Sequence, residues 1–194
     1  MHAGRAGDLG KSTGTVRIGG GHEERIVPGL RGAPAVVETI SSNGTITIRG
    51  MEGVEQMSVT ATLHSRGDTV EEANDRSGRI IIHIPEASGR VTLLYNAFAQ
   101  AEDVRRYSGV DFLVIVPVNA NVDLTTSNGA IQVTIPRNLA ILINADTSNG
   151  LITSSLSLVG DTKGKSWSAS LNPPITSTLT LKTSNGVISI DGLP

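Results

Sequence analysis

Leu179-Thr180-Leu181-Lys182-Thr183-Ser184-Asn185-Gly186-Val187-Ile188-Ser189-Ile190 decides how this chain is read. Leu179 and Leu181 alternate with polar residues, and so do Ile188 and Ile190 beyond the turn. Period-2 alternation is the pattern of a half-buried strand. Between the two runs stands Asn185-Gly186. Asn-Gly signals a tight turn, because both residues tolerate the positive φ that such turns require. The same phrase recurs at Ser42-Asn43-Gly44, Ser127-Asn128-Gly129 and Ser148-Asn149-Gly150, with Thr ahead of it at Thr126, Thr147 and Thr183. Two residues after each Gly comes Ile, at Ile46, Ile131, Ile152 and Ile188. Internal repetition of this kind points to one structural unit used several times.

Degenerate copies extend the series. Ser12-Thr13-Gly14 leads to Val16 and Ile18, Ser77-Gly78 to Ile80, Ile82 and Ile84, and Ser88-Gly89 to Val91 and Leu93. The structural turns are therefore Asn43, Gly44, Asn128, Gly129, Asn149, Gly150, Asn185 and Gly186. Reading each Ser-Asn-Gly as a polar site instead finds no charged partner in phase with the repeat.

A length of 194 residues suffices for one domain with a substantial core. The net charge of −2 gives no general attraction for nucleic acid or anionic membranes, and 3% aromatic content weakens a base-stacking or sugar-platform reading. With no cysteine there are no disulfides, thiolate metal sites or cysteine nucleophiles. No run of about 18 apolar residues marks a membrane span. Met1 to Gly10 is polar and glycine-rich, without a signal-peptide core. Residues 1–106 carry 25 charged side chains and residues 107–194 only nine. The second part is rich in Ser, Thr and Asn, which predicts a neutral, hydroxyl-lined surface.

Residues 1–34 read as a loosely organised extension with one candidate strand at Val16 and Ile18, and 35–194 as the β-repeat domain. Strands are predicted at Val36–Ile40, Thr45–Ile48, Met57–Leu63, Arg79–Ile84, Arg90–Leu94, Val122–Thr125, Ile131–Ile135, Ile141–Ala145, Leu151–Leu158, Leu179–Leu181 and Val187–Ile190. Phe112–Val116 is continuously apolar and predicts a strand buried on both faces. Gly67 to Gly78 reads as a charged loop, and Ala97 to Arg106 as a loop or single helical turn. Gly129 and Gly150 lie 21 residues apart, about one β-solenoid rung, and Gly150 to Gly186 spans a rung with an insertion at Gly160 to Pro174. The expected fold is all-β, a β-solenoid or single-stranded β-helix-like repeat with Asn-Gly turns; a two-sheet β-sandwich is the alternative.

Thr-Ser-Asn-Gly-x-Ile units, the step Val116-Pro117-Val118-Asn119-Ala120-Asn121-Val122 and the terminal run Leu179 to Ile190 resemble the bacterial "putative adhesin" β-repeat family, a domain of unknown function. Gly160-Asp161-Thr162-Lys163-Gly164-Lys165-Ser166-Trp167-Ser168 also fits its style. The resemblance covers residues 35–194 and is best from 110 onward. It implies an all-β repeat fold on extracytoplasmic, cell-envelope segments of membrane-anchored proteins, and it supplies no catalytic residues.

Gly160 to Ser166 superficially resembles a phosphate loop but is one residue short of the Walker spacing, and no helix-forming run follows. Asp68, Glu71, Glu72 and Asp75 gather oxygens of the type that calcium takes, but without EF-hand spacing and with Arg66, Arg76 and Arg79 close by to pair with them. His2, His22, His64 and His83 form no ligand pair, and His64 and His83 fall opposite the apolar stripe. There is no Gly-x-Ser-x-Gly elbow, although a Ser-His-Asp triad needs no sequence proximity. Trp167 reads either as an anchor for the insertion loop or as a binding contact for a sugar or partner.

The expected function is a non-enzymatic structural or interaction surface facing a protein or glycan, with no catalytic residue, metal or cofactor. The alternatives are a carbohydrate-active enzyme on a β-helix scaffold and a regulatory module of an envelope-stress system. Exposed strand edges allow edge-to-edge self-association, with the edge of the last strand left open at Leu193-Pro194.

Overall fold

The computed structural model describes residues 36–54, 57–82, 86–87, 90–95 and 100–193. The expected N-terminal extension, His2, His22, His83 and the turn at Ser88-Gly89 lie outside them. In chain order the elements are β1 (Val36–Asn43), β2 (Ile46–Met51), β3 (Ser58–Ser65), α1 (Val70–Gly78), β4 (Glu86–Ala87), β5 (Arg90–Tyr95), α2 (Glu102–Tyr107) and β6 (Ser108–Pro117). There follow β7 (Asn121–Asn128), β8 (Ile131–Ile135), β9 (Ile141–Thr147), β10 (Ile152–Ser154), β11 (Val159–Asp161), β12 (Ser166–Leu171), β13 (Ser177–Asn185) and β14 (Ile188–Gly192).

The fold is all-β in class, built from two open mixed sheets. One has eight strands in the order β11-β12-β9-β13-β7-β1-β5-β4, the other six in the order β10-β14-β8-β2-β6-β3. The middle of each sheet is parallel, and antiparallel neighbours (β4, β11 and β12; β3) are added at its margins. Alternation along the strands sends one side chain in two inward. Val37 on β1, Ile46 and Ile48 on β2, Leu124 on β7, Ile131 on β8, Leu181 on β13 and Ile190 on β14 are all at most 1% exposed and join one apolar core. Burying a side chain of that size stabilises the fold by about 1.5–3 kcal/mol.

Each Ser-Asn-Gly is a corner, carrying the chain from the larger sheet to the smaller: β1 to β2, β7 to β8, β9 to β10 and β13 to β14. The corners do not stack in chain order. β13 is hydrogen-bonded between β7 and β9, and β1 between β5 and β7. The 21-residue interval from Gly129 to Gly150 is therefore not the step between adjacent levels, because the Gly186 corner lies between them. The insertion is a hairpin. β11 and β12 pair with each other, and β12 adds antiparallel to β9 at the margin of the large sheet.

Six local readings are corrected. Residues Gly67 to Gly78 are not a loop, because α1 occupies Val70–Gly78. Thr69 caps it by accepting from the Glu72 N–H (3.1 Å), and the Glu72 carboxylate reaches back to the Asp68 N–H (2.8 Å). This Thr-x-x-Glu device is a capping box shifted by one residue. Ser77-Gly78 thus ends a helix rather than making a strand turn. The strand expected from Arg79 is absent through Ile82; the Gln100 amide substitutes for a strand partner, accepting from the Ile81 N–H (3.0 Å) and donating to the Ile81 carbonyl (3.1 Å). Phe112–Val116 is fully buried on one face only, since Leu113 and Ile115 are half-buried on the other. Leu151–Leu158 keeps strand geometry only at Ile152–Ser154. Finally, β14 is an interior strand between β10 and β8, so Leu193 does not border an open edge.

Candidate functional site

Stacking the corners aligns identical residues. Asn149 Nδ2 donates to Asn185 Oδ1 (3.0 Å), Asn185 Nδ2 to Asn128 Oδ1 (2.9 Å), and Asn128 Nδ2 to Asn43 Oδ1 (3.0 Å). The orientation is fixed by the backbone, because Asn185 Nδ2 also faces the Ser127 carbonyl and Asn128 Nδ2 the Ser42 carbonyl, each at 3.4 Å. Beneath this ladder the buried threonines repeat one bond. Thr147 donates to the Gly186 carbonyl (3.1 Å), Thr183 to Gly129 (3.1 Å) and Thr126 to Gly44 (3.4 Å). The glycines are dictated by closeness: a Cβ on Gly129 would fall on the Gly44 carbonyl oxygen, and one on Gly186 on that of Gly129. Every letter of Thr-Ser-Asn-Gly except the exposed Ser thus has a partner one level away.

The two ends of the ladder are unlike. At the Asn149 end, Lys165 donates its ammonium to the Ser148 carbonyl (2.6 Å), and its own carbonyl accepts from the Thr147 N–H (2.9 Å). At the Asn43 end, register places Gly109 where a fifth Asn would stand, since Ile46 pairs with Phe112. A Cβ on Gly109 would lie 3.6 Å from Asn43 Cβ. Two adjoining clefts open here. One, of about 550 Å³, is lined by Ser42, Asn43, Glu102, Arg105, Arg106, Ser127 and Asn128. The other, of about 740 Å³, is lined by Asn43, His64, Ser65, Arg66, Arg106, Tyr107, Ser108 and Gly109. Asn43 and Arg106 belong to both.

The walls of these clefts are held by polar contacts. His64 Nε2 lies 2.6 Å from Asp111 Oδ2, and Asp111 Oδ1 accepts from the Thr45 N–H (2.6 Å), tying β3 to β6 and the first corner. Tyr95 is fully buried, which pushes its phenol above the ordinary range, and it donates to the Ser108 carbonyl (3.3 Å). The Arg76 guanidinium is 4.8 Å from the Tyr107 ring centre and that of Arg106 is 5.9 Å away. Ser65, beside His64, gives its hydroxyl to the Ala73 carbonyl and meets Ser77 Oγ at 2.8 Å, so it is committed to α1 rather than to a His-Asp pair.

The other candidates from sequence lie elsewhere. Glu72 pairs with Arg76, and Asp75 with Arg79 at 3.1 Å; among the described residues no group of three or more His, Cys, Asp or Glu could hold a metal ion. Arg79 also bonds Asp103 across from α1 to α2, which holds the Asp103 carboxyl below the usual carboxylate range. Gly160 to Ser166 turns from β11 into β12, so a strand follows it and not a helix N-terminus. Trp167 stands on β12 opposite Ala145, half-buried against the core; its Nε1 has no partner among the described residues. Sequence reading passed over Arg106 and Gly109, and took Arg66 for a partner of the acidic cluster, whereas it lines the larger cleft. Only the adjacent pair Arg105-Arg106 was visible as a signal, because the register that places Gly109 beside Asn43 is long-range.

No protein-family model matches the chain, and no curated protein matches it. Among solved structures it is similar to a "putative cell adhesion protein" from Clostridium sporogenes ATCC 15579, at 10% identity and a TM-score of 0.41, over 89% of this chain and 99% of that one. It is also similar to a "putative adhesin" from Bacteroides fragilis NCTC 9343, at 9% identity and a TM-score of 0.30, over 84% of this chain and 94% of that one. Both values are too low for any property to be carried across.

Proposed function

We propose that this chain is a non-catalytic, adhesin-like interaction module of the cell envelope, a β-solenoid-like stack entered out of chain order. The observation that carries the reading is the outer face of the large sheet. Thr92, Glu38, Asp123, Thr180, Asn144 and Ser168 stand side by side on six adjacent strands, facing away from the core. The small sheet has a similar row at Thr60, Leu113, Thr47, Gln132 and Ser189. Flat rows of hydroxyl, amide and few charged groups offer many weak hydrogen bonds to a glycan or protein surface, on a frame rigid enough that little ordering entropy is lost on contact.

The test has two parts. Protease shaving of intact source cells should remove the protein before lysis, and the isolated chain should bind immobilised envelope glycan or matrix protein without altering it. Full protection until lysis would overturn the envelope placement. Turnover of a bound glycan would overturn the non-catalytic reading in favour of a carbohydrate-active enzyme.

A further inference from the structure

The ladder of asparagine amides is head-to-tail, so its dipoles add, as peptide dipoles do along a helix. Its oxygen end, at Asn149, lies near the ammonium of Lys165, which sits on the next carbonyl. Its N–H end, at Asn43, has no such cap among the described residues. Asn43 Oδ1 is used by Asn128, while Asn43 Nδ2 has no acceptor among the described residues. The residue that would supply one is Gly109, which has no side chain. Around that gap stand Arg66 and Arg106, neither of which has a carboxylate partner among the described residues. The acidic groups nearby are Glu102, in the smaller cleft, and Asp111, which is held by His64 and the Thr45 N–H. An oxygen anion placed at Gly109 completes the ladder, in a cleft that Arg66 and Arg106 also line.

The size and lining of the clefts say more about the ligand. Volumes of about 550 and 740 Å³ fall in the range of pockets for whole organic ligands, and a bare inorganic ion fills little of them. Ser42, Ser127 and Asn128 add hydroxyl and amide groups to the smaller cleft. That lining suits a polyhydroxylated acid better than a peptide side chain.

We propose that the Gly109 end of the asparagine ladder is the binding subsite for the acid group of an acidic saccharide. The proposal rests on the interaction-module reading and names the ligand class at one of its surfaces. The probe is trigalacturonate, titrated calorimetrically into the whole chain. One saturable site is expected, weakened at least about tenfold in Arg106→Gln and in Arg66→Gln, since charge-assisted hydrogen bonds contribute about 1.5–3 kcal/mol each. Gly109→Asn, which fills the gap with the missing amide, abolishes binding while the protein still unfolds cooperatively. If Gly109→Asn does not fold, the two arginine variants carry the test. Unchanged binding in both arginine variants overturns the proposal. Equal affinity for sodium sulfate overturns the saccharide part, and equal affinity for triglutamate overturns it in favour of an acidic peptide. Binding of the neutral saccharide of the same length, independent of Arg106, overturns the acidic subsite but leaves the interaction module standing. Absence of binding to any immobilised glycan or envelope protein overturns the module reading itself.

Discussion

The laddered corner and the α1–α2 end of the molecule solve the same problem with different chemistry. Along the corner, each level is joined to the next by neutral amide and hydroxyl bonds repeated at fixed register, such as Asn185 to Asn128 and Thr183 to Gly129. At the α1–α2 end the contacts are charged and each occurs once, such as Arg79 with Asp75 and Asp103, and Arg76 with Glu72. A repeated neutral bond needs close, invariant backbone spacing and tolerates neither bulk nor shift. Exposed ion pairs tolerate both but contribute little individually. The difference explains why the ladder has a glycine at every level.

The strongest way to break that contrast is to add bulk to the corner. Gly129→Ala puts a methyl group on the Gly44 carbonyl and is expected to cost more than about 4 kcal/mol or to prevent folding, as read by urea denaturation. Gly164, which has φ +70 and nothing within 4 Å of an added Cβ, provides the control. Gly164→Ala should cost only about 1–2 kcal/mol, the backbone penalty alone. If both variants lose the same stability, close packing is not what requires the corner glycines.

A finer test removes one amide. Asn128→Ala loses the bond it donates to Asn43 and the one it accepts from Asn185, for an expected loss of about 1–3 kcal/mol. Asn149→Ala, at the end of the ladder, loses one such bond and should cost about half as much. Equal losses at the two positions would mean that the bonds Asn128 makes on its two sides do not both contribute.

At the charged end, effects should be smaller and local. Thr69→Ala removes the cap of α1 and is expected to cost about 1 kcal/mol of helix stability, seen as faster amide exchange in Val70–Gly78 with the corner amides unchanged. Asp103 provides the smallest effect and has a defined pH sign. Its bond to Arg79 lowers its folded pKa below the usual 3.8, so the pair stabilises the protein above that unfolded value and loses its effect as pH falls through the lowered one. Asp103→Asn should therefore be slightly less stable than wild type from pH 5 upward, and the gap should close in acid. A gap that widens in acid would contradict the assignment.

How much of this was legible depends on the range of the interaction involved. The strands beside Asn43, Asn128, Asn149 and Asn185 follow from local rules, because period-2 alternation involves only near neighbours. The reason for Asn-Gly does not: none of these Asn and only Gly44 of the four Gly has a positive φ, and the glycines answer to the next level's carbonyl. The α1 helix was also within local reach through Thr69-x-x-Glu72, but the density of charge in that stretch suggested a loop. The placement of β13 between β7 and β9 was not legible, because nothing in a parallel strand names its neighbour when several strands share one motif. For the same reason the cleft could not be found from sequence. Gly109 resembles many other glycines until the register sets it beside Asn43.

The order of the corners is the central claim, and the absence of cysteine makes it directly testable. Asn128 pairs with Asn185 and Thr126 with Thr183, which sets the exposed Ser127 and Ser184 side by side. Ser148 follows Ser127 in the chain but lies beyond Ser184. Ser127→Cys with Ser184→Cys should form a disulfide readily under mild oxidation, whereas Ser127→Cys with Ser148→Cys should not, because neighbouring strands are within bridging distance and next-but-one strands are not. Rapid bridging of 127 with 148 and none of 127 with 184 would show that the corners stack in chain order and would contradict the account.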